Sequence, residues 1–346
     1  LKICFITGPY KPGKCGISDF VSILSEELQK TGHSCQIKSI DPSIGSTFLT
    51  VSENLPDCDL LSVQFAPYSF SSKGLVGNNL KVFGERIKNH MVQIIFHEIW
   101  IGDFFDANPI HKFKGWRQKR EILKFLKQVE PLETFSTNEA SLYRLSKAGV
   151  DAKYLYLFGN IPVCDERLST QNPQSEFIIL ILFGTIYEKF PFELTLKRLH
   201  GISAKAQKKL KFYLVGRQRE RNGIKRLRAL LEKNNTRLEE MGELPASEVS
   251  HYLQIADLGI STTPFDCLGK SGTTAAMLEH GLHIITYDDS DTPELGTYVS
   301  GPIIDQVILL NDEKMEDKTL RVLGKGKDEL YYGCRKTVST LLENHL

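Results

Sequence analysis

The chain has 346 residues, enough for two domains of ordinary size. Lys and Arg number 43 against 42 Asp and Glu, so bulk charge draws no nucleic acid and none is expected as a partner. The 7 cysteines are scattered without a C-x-x-C pair, which argues against a zinc cage and fits a reducing compartment.

The longest apolar run, Phe177 to Phe183, is too short to span a bilayer. No charged-then-apolar leader pattern opens the sequence, so a cytoplasmic protein is expected. Lys2 to Thr7 is a run of strand-forming residues, and Gly8 to Gly16 after it is a glycine-rich loop. Ile17, Phe20, Val21, Leu24 and Leu28 then recur at helical spacing until Gly32 stops the helix. Gly8, Gly13 and Gly16 do not form G-x-G-x-x-G, so a dehydrogenase fingerprint is absent. Strands are predicted at Ser34 to Ile40, Leu60 to Gln64 and Met91 to Phe96, the last nearly all apolar, as a strand covered on both faces must be. His97 and Glu98 follow it directly. Ligands of open α/β sheets bind at the carboxyl ends of strands, so this pair is expected at a substrate site. The fifth residue of H-E-x-x-H would be a histidine; here it is Ile101, so the zinc motif is not formed.

Lys112, Lys114, Arg117, Lys119, Arg120, Lys124 and Lys127 interleave with Trp116, Ile122, Leu123, Leu126 and Val129 at helical spacing. A helix over 111–127 is either a solvated face or a basic surface for anionic lipid or an anionic acceptor. Thr134 to Ser136, a helix near Ala140 to Ala148, and Tyr154 to Leu157 complete a first domain over 1–165. Pro162 to Pro173 is polar and reads as a linker. A second domain is expected over 174–325, and 326–346 reads as a helix joining the first domain. Phe177 to Phe183 is a buried strand running into the turn Gly184 to Lys189, and a helix follows from about Phe192. Phe212 to Val215 ends at Gly216-Arg217, a basic helix runs from about Ile224 to Lys233, and Gly242-Glu243-Leu244-Pro245 precedes another helix. Beyond Ile308 the chain is charged, then carries Leu330, Tyr331, Val338, Leu341 and Leu342 on an apparent final helix.

Between them lies the stretch with the most chemistry. Ala256 to Ser261 reads as a strand, Thr273 to Glu279 as a helix, and His283 to Tyr287 as a strand. Lys270-Ser271-Gly272-Thr273-Thr274 therefore sits where a loop opens a helix. The first backbone N–H groups there lack partners and the helix dipole is positive, which suits a phosphate. Gly269 and Gly272 let backbone approach a ligand, Lys270 adds charge, and the hydroxyls add donors. An ordinary N-capped helix with a turn lysine has the same pattern.

The order of these features resembles the GT-B glycosyltransferases, and within them the retaining family 4-like group. The loop before Gly16, His97 after a strand, Gly184 to Lys189, Gly216-Arg217, Gly242 to Pro245 and the loop-helix before His280-Gly281 carry the resemblance across nearly the whole chain. It implies an α/β fold of two Rossmann-like doubly wound domains facing a cleft. It also implies roles. Gly16 lets the first loop approach the donor, and His97 lies against the transferred sugar. Lys189 neutralises the diphosphate, Ser271 to Thr274 hold it, Leu244 lines the base, and Arg217 stacks on the base or pairs with phosphate. Two positions depart from the family pattern. Thr185 stands where the family has arginine, with the spacing to Lys189 one residue short, and the family's paired glutamates fall on Leu268 and Ala276. Glu279, one turn on, either substitutes for the second glutamate at the ribose or faces solvent.

The activity implied is transfer of a hexose, with glucose expected, from a UDP-sugar to an oligosaccharide or envelope polysaccharide. The leaving diphosphate gains charge, which Lys189, Lys270 and the amides near Gly272 and Thr273 would stabilise without metal or other cofactor. His97 and Glu98 orient the sugar and the acceptor side. Two other readings share this architecture: a UDP-GlcNAc 2-epimerase, and a non-catalytic sugar-nucleotide-binding module.

Overall fold

A computed structural model of the chain describes residues 1–44, 51, 53–102, 108–164, 175–218, 221–288, 305–325, 327 and 333–343. It divides into two compact units, Leu1–Tyr156 with Cys334–Leu346, and Leu157–Gly333.

The first unit is built on a six-stranded sheet. In spatial order it holds β2 (Ser34–Ser39), β1 (Lys2–Thr7), β3 (Leu60–Phe65), β4 (Val92–Phe96), β5 (Glu133–Ser136) and β6 (Lys153–Tyr154). Every neighbouring pair is parallel. Parallel pairing forces long crossovers, which the helices Gly16–Lys30, Gly77–Ile87, Pro109–Val129 and Glu139–Lys147 supply. β3 and β4 are buried at every residue, so the sheet is covered on both faces there, and the polar Ser62, Gln64 and Gln93 are buried with the rest. Phe65 packs on Phe70 at 5.3 Å and on Phe96 at 5.1 Å, and Phe83 packs on Phe125. Each such ring contributes about 2–3 kcal/mol through burial. The chain leaves β1 toward β2 and returns to β3 on β1's other side. The switch point of this sheet therefore lies between β1 and β3.

The second unit repeats the plan in the order β12 (Val307–Leu309), β11 (His283–Thr286), β10 (Leu258–Ile260), β7 (Phe177–Phe183), β8 (Lys209–Val215) and β9 (Arg237–Gly242), again all parallel. Its core gathers Leu180, Leu182, Phe190, Phe192, Phe212 and Ile285. The chain winds from β7 out to β9 and crosses back to β10, so its switch point lies between β7 and β10.

The division falls at Leu157 and Cys334, against expected bounds of 165 and 326. Hydrogen bonds explain both displacements. Gly159 N–H donates to Glu279 Oε1 at 2.9 Å, and Cys164 N–H donates to Ser250 Oγ at 3.1 Å. Lys327 Nζ donates to Leu253 O at 2.8 Å, which holds that residue in the second unit as well. From Cys334 onward the helix Gly333–Leu342 is in the first unit, where Thr337 Oγ1 donates to Tyr156 O at 2.8 Å and Arg335 reaches Glu27. Most of the polar stretch read as a linker, and Leu330 and Tyr331 of the final helix, lie outside the described residues. β9 and β12 are two edge strands beyond the predicted set, and Phe265–Lys270 is a 3-10 helix where a loop was expected. No cysteine forms a disulfide.

Candidate functional site

In the second unit the switch point gathers most of the predicted donor residues. Gly184 and Thr185 follow directly on β7, and Ser261 and Thr262 follow directly on its neighbour β10. Thr262 stitches the two ends together: its Oγ1 donates to Thr185 O at 3.0 Å and accepts from Tyr187 N–H at 3.2 Å. The helix Gly272–Glu279 starts against the same place. Gly184, at φ +90°, lies so close that a methyl on it would stand 2.7 Å from Thr273 Cγ2. Gln218 Nε2 closes the far side by donating to Gly184 O at 2.8 Å.

The helix start is capped from within. Ser271 Oγ accepts from Thr274 N–H at 3.2 Å, and Thr274 Oγ1 lies 2.8 Å from both Ser271 Oγ and Ser261 Oγ. Among the described residues the amides of Gly272 and Thr273 have no partner, and a methyl on Gly272 would meet nothing within 4 Å. Lys270 closes the preceding 3-10 helix, and Lys189 lies in the turn after Thr185. Both side chains are exposed and, among the described residues, neither ammonium has a partner. The arrangement is two open amides at a positive helix end, with exposed lysines before the helix and in the turn after β7, and such a helix end suits an anion.

Arg217 and Leu244 come from the ends of β8 and β9. Arg217 is held in a two-pronged pair with Glu243, Nη2 to Oε1 at 2.6 Å and Nε to Oε2 at 3.0 Å. That partner was not foreseen, although the sequence puts Gly-Arg and Gly-Glu at the ends of strands that pair in the sheet. Leu244 is half-buried in the turn beyond. Glu279 is fully buried, and its carboxylate accepts from Gly159 N–H, so it does not face solvent. His280 is buried too, with Nδ1 2.6 Å from Ala276 O and Nε2 2.9 Å from Ser250 Oγ. Burial pushes it down to about 4, and it acts as a core residue.

In the first unit, Gly16 opens the helix Gly16–Lys30 behind a loop folded onto the helix start. Lys11 N–H donates to Ser18 Oγ at 2.9 Å, Gly13 N–H donates to Asp19 Oδ1, and Tyr10 N–H donates to Ser39 Oγ at 3.1 Å. A methyl on Gly16 would meet nothing within 4 Å. His97 sits at the carboxyl end of β4, with its amide donating to Phe65 O at 3.0 Å. Its imidazole is only 6% exposed, edge-on to Phe20 at 5.0 Å, with Nε2 3.0 Å from Gln64 Oε1. Burial pushes it down to about 4, so it is neutral near pH 7. Glu98 beside it is exposed. On the neighbouring strand end, Thr137 Oγ1 and Glu139 Oε1 are buried with no hydrogen-bond partner among the described residues. Burial pushes Glu139 up to about 7. The only sequence signal for these two was their place after β5. Among the described residues, no three His, Cys, Asp or Glu side chains gather as a metal site.

The basic segment is the helix Pro109–Val129, capped by Asn108, whose side chain accepts from His111 N–H at 2.8 Å. Its inner face is Gly115, Gln118, Ile122, Phe125 and Val129, whereas Trp116 points outward, contrary to its place in the predicted stripe. Ile110 is 76%, Phe113 61% and Trp116 55% exposed, and the two rings stack at 5.9 Å. Arg120 lies over Trp116, and Lys114 lies over the exposed Tyr68. No helix among the described residues is long and apolar enough to cross a membrane.

No protein-family model and no curated protein matches the chain. Solved structures do. HepE of Anabaena in complex with UDP is 13% identical, with a TM-score of 0.59 over 100% of this chain and 99% of that one. An α-glucosyltransferase (AGT) in complex with UDP is 15% identical, with a TM-score of 0.55 over 99% and 96%. The α-glucosyltransferase in complex with UDP and a 13-mer DNA is 13% identical, with a TM-score of 0.52 over 99% and 95%. The chain therefore has the two-domain α/β fold of these GT-B structures.

Proposed function

We propose that the chain is a retaining glycosyltransferase of the family 4-like kind, moving a hexose from a UDP-sugar, with UDP-glucose as the donor. The observation that carries this reading is the pair of open amides at Gly272 and Thr273, set at a sheet switch point between turns that bear Lys189 and Lys270. Similarity of fold to proteins solved with UDP supports it.

Breaking the anomeric C–O bond leaves the electron pair on a diphosphate oxygen. Lys189, Lys270 and the two amides are the groups this chain offers to that charge, and they need no reorganisation as it develops. In the proposed scheme they do what a divalent cation does elsewhere, and no cofactor beyond the donor is required. The departing phosphate takes the acceptor's proton on the same face, so retention needs no carboxylate pair. His97, neutral near pH 7, orients the hexose, and Glu98 serves the acceptor side. Leu244 and Arg217 are assigned to the base, with Glu243 fixing the guanidinium plane.

An oligosaccharide or envelope polysaccharide is the proposed acceptor, at the cytoplasmic face of a membrane. The exposed Ile110, Phe113 and Trp116 amid lysines and arginines support a peripheral contact with anionic lipid. One neighbour was solved with DNA, while the near-neutral charge of this chain favours a glycan.

The test is release of UDP from UDP-glucose by the purified protein, with EDTA present. Slow release that His97→Ala abolishes supports the transferase and opposes a mere binding module. Epimerised UDP-GlcNAc formed without acceptor would overturn the reading in favour of an isomerase. Glucose transferred to duplex DNA would overturn the acceptor.

A further inference from the structure

Behind His97 runs a line of buried polar side chains. Gln64 and Ser62 are two apart on β3 and so share a face, and Gln93 on β4 pairs in register with Ser62. All three are at most 1% exposed. The contacts form one chain: His97 Nε2 to Gln64 Oε1 at 3.0 Å, Gln64 Nε2 to Ser62 Oγ at 2.9 Å, Ser62 Oγ to Gln93 Oε1 at 3.3 Å, and Gln93 Nε2 to Leu341 O at 3.4 Å.

The last link fixes the direction of all the others. Leu341 lies in the final turn of the helix Gly333–Leu342, where carbonyls have no partner inside the helix. A carbonyl only accepts, so Gln93 turns its NH2 toward Leu341 and its oxygen toward Ser62. Ser62 has one proton and gives it to Gln93, so its oxygen accepts from the NH2 of Gln64. The oxygen of Gln64 then faces His97, and Nε2 of His97 must carry the proton. Reversing any amide would set two buried acceptors or two buried donors face to face.

We propose that Gln64 is a positioning residue, oriented through Ser62 and Gln93 by the Leu341 carbonyl, which holds His97 as its Nε2–H tautomer and keeps Nδ1 as an acceptor for a hydroxyl of the bound sugar. The sugar hydroxyl rests on the transferase reading; the tautomer does not. Burial keeps the imidazole neutral near pH 7, and the T-shaped contact with Phe20 limits rotation of the ring. Among the described residues Nδ1 has no hydrogen-bond partner. His97 therefore accepts from substrate rather than donating to it, which is unsuited to gripping phosphate.

The experiment is long-range proton–nitrogen NMR on the free protein with nitrogen-15 histidine near pH 7, with the His97 signals assigned by their loss in His97→Gln. The expected pattern is one protonated nitrogen, Nε2, and one bare nitrogen, Nδ1. A protonated Nδ1, or a doubly protonated ring, overturns the proposal. Gln64→Leu should turn the His97 signals into a mixture of tautomers and lower kcat at least tenfold with the UDP Kd unchanged. A Gln64→Leu protein with the wild-type tautomer would deny Gln64 its role. Because the wild-type spectrum needs neither substrate nor a variant of Gln64, failure of the transferase reading leaves this test standing.

Discussion

Replacing Gly272 by alanine separates ligand binding from folding. Gly272 is the first residue of its helix and lies outside the left-handed region, and a methyl there meets nothing within 4 Å. Alanine is the better helix former and narrows the unfolded ensemble, so stability should hold or rise by about 0.4–1 kcal/mol. The new methyl, however, stands on the carbon between the amides of residues 272 and 273. A phosphate oxygen seated on those amides loses at least one charge-assisted bond, about 1.5–3 kcal/mol, or roughly tenfold to more than a hundredfold in Kd. Gly184→Ala is the contrast. There φ is +90° and the methyl would lie 2.7 Å from Thr273 Cγ2. Left-handed strain of about 1–2 kcal/mol and overpacking of about 1–3 kcal/mol should both appear as lost stability. Urea unfolding and calorimetry with UDP on the two variants read the two quantities independently. Gly272→Ala binding UDP like the wild type would remove the diphosphate from this helix start, and Gly184→Ala unfolding at the wild-type midpoint would refute the packing argument.

Lys189→Ala and Lys270→Ala should each weaken UDP binding by about 1.5–3 kcal/mol without shifting the unfolding midpoint, since both side chains are exposed; unchanged affinity by calorimetry in both would reject their assignment. Glu139 is raised by burial to about 7 from 4.5, so its contribution to stability is present below about pH 4.5 and is lost as pH rises to about 7. At ~1.4 kcal/mol per pKa unit the full loss is roughly 3.5 kcal/mol, and Glu139→Gln should erase it in urea unfolding compared at about pH 4 and about pH 7.5. Phe113→Ser with Trp116→Ser should abolish sedimentation with anionic vesicles while leaving the fold intact, both rings being more than half exposed; equal sedimentation of variant and wild type would remove the lipid contact. Glu279→Gln can still accept from Gly159 N–H, so UDP affinity should stay near wild type, and a large loss by calorimetry would return the carboxylate to the ribose.

Two central strands were legible because burial writes a largely apolar run into the sequence, as in β4 and β7. β9 was not, because it is an edge strand whose Glu239 and Glu240 pair with Lys211, Arg237 and Arg228, and a charged edge has no hydrophobic signature. Nor was the true inner face of the helix Pro109–Val129. Gly115 packs so tightly on the Ile101 carbonyl that no side chain would fit, yet a glycine is silent in a count of apolar residues. Apolar spacing alone therefore points to Trp116, one position round the helix from Gly115.

The candidate site divides along the same line. The place of Lys270, Ser271 and Gly272 at a helix start was legible because loop-to-helix chemistry is local in sequence. Thr262, Gln218, Glu243 and Gln64 do their work on partners far along the chain, and nothing short of the sheet order brings those partners near. Glu279 shows why helical spacing fails even within one element. Every residue from Thr274 to Glu279 is buried, so the helix has no polar face from which to tell solvent, ligand or core. A carboxylate on such a helix is read only through its partner, and here that partner is the backbone of Gly159, a residue that sequence placed in the other domain.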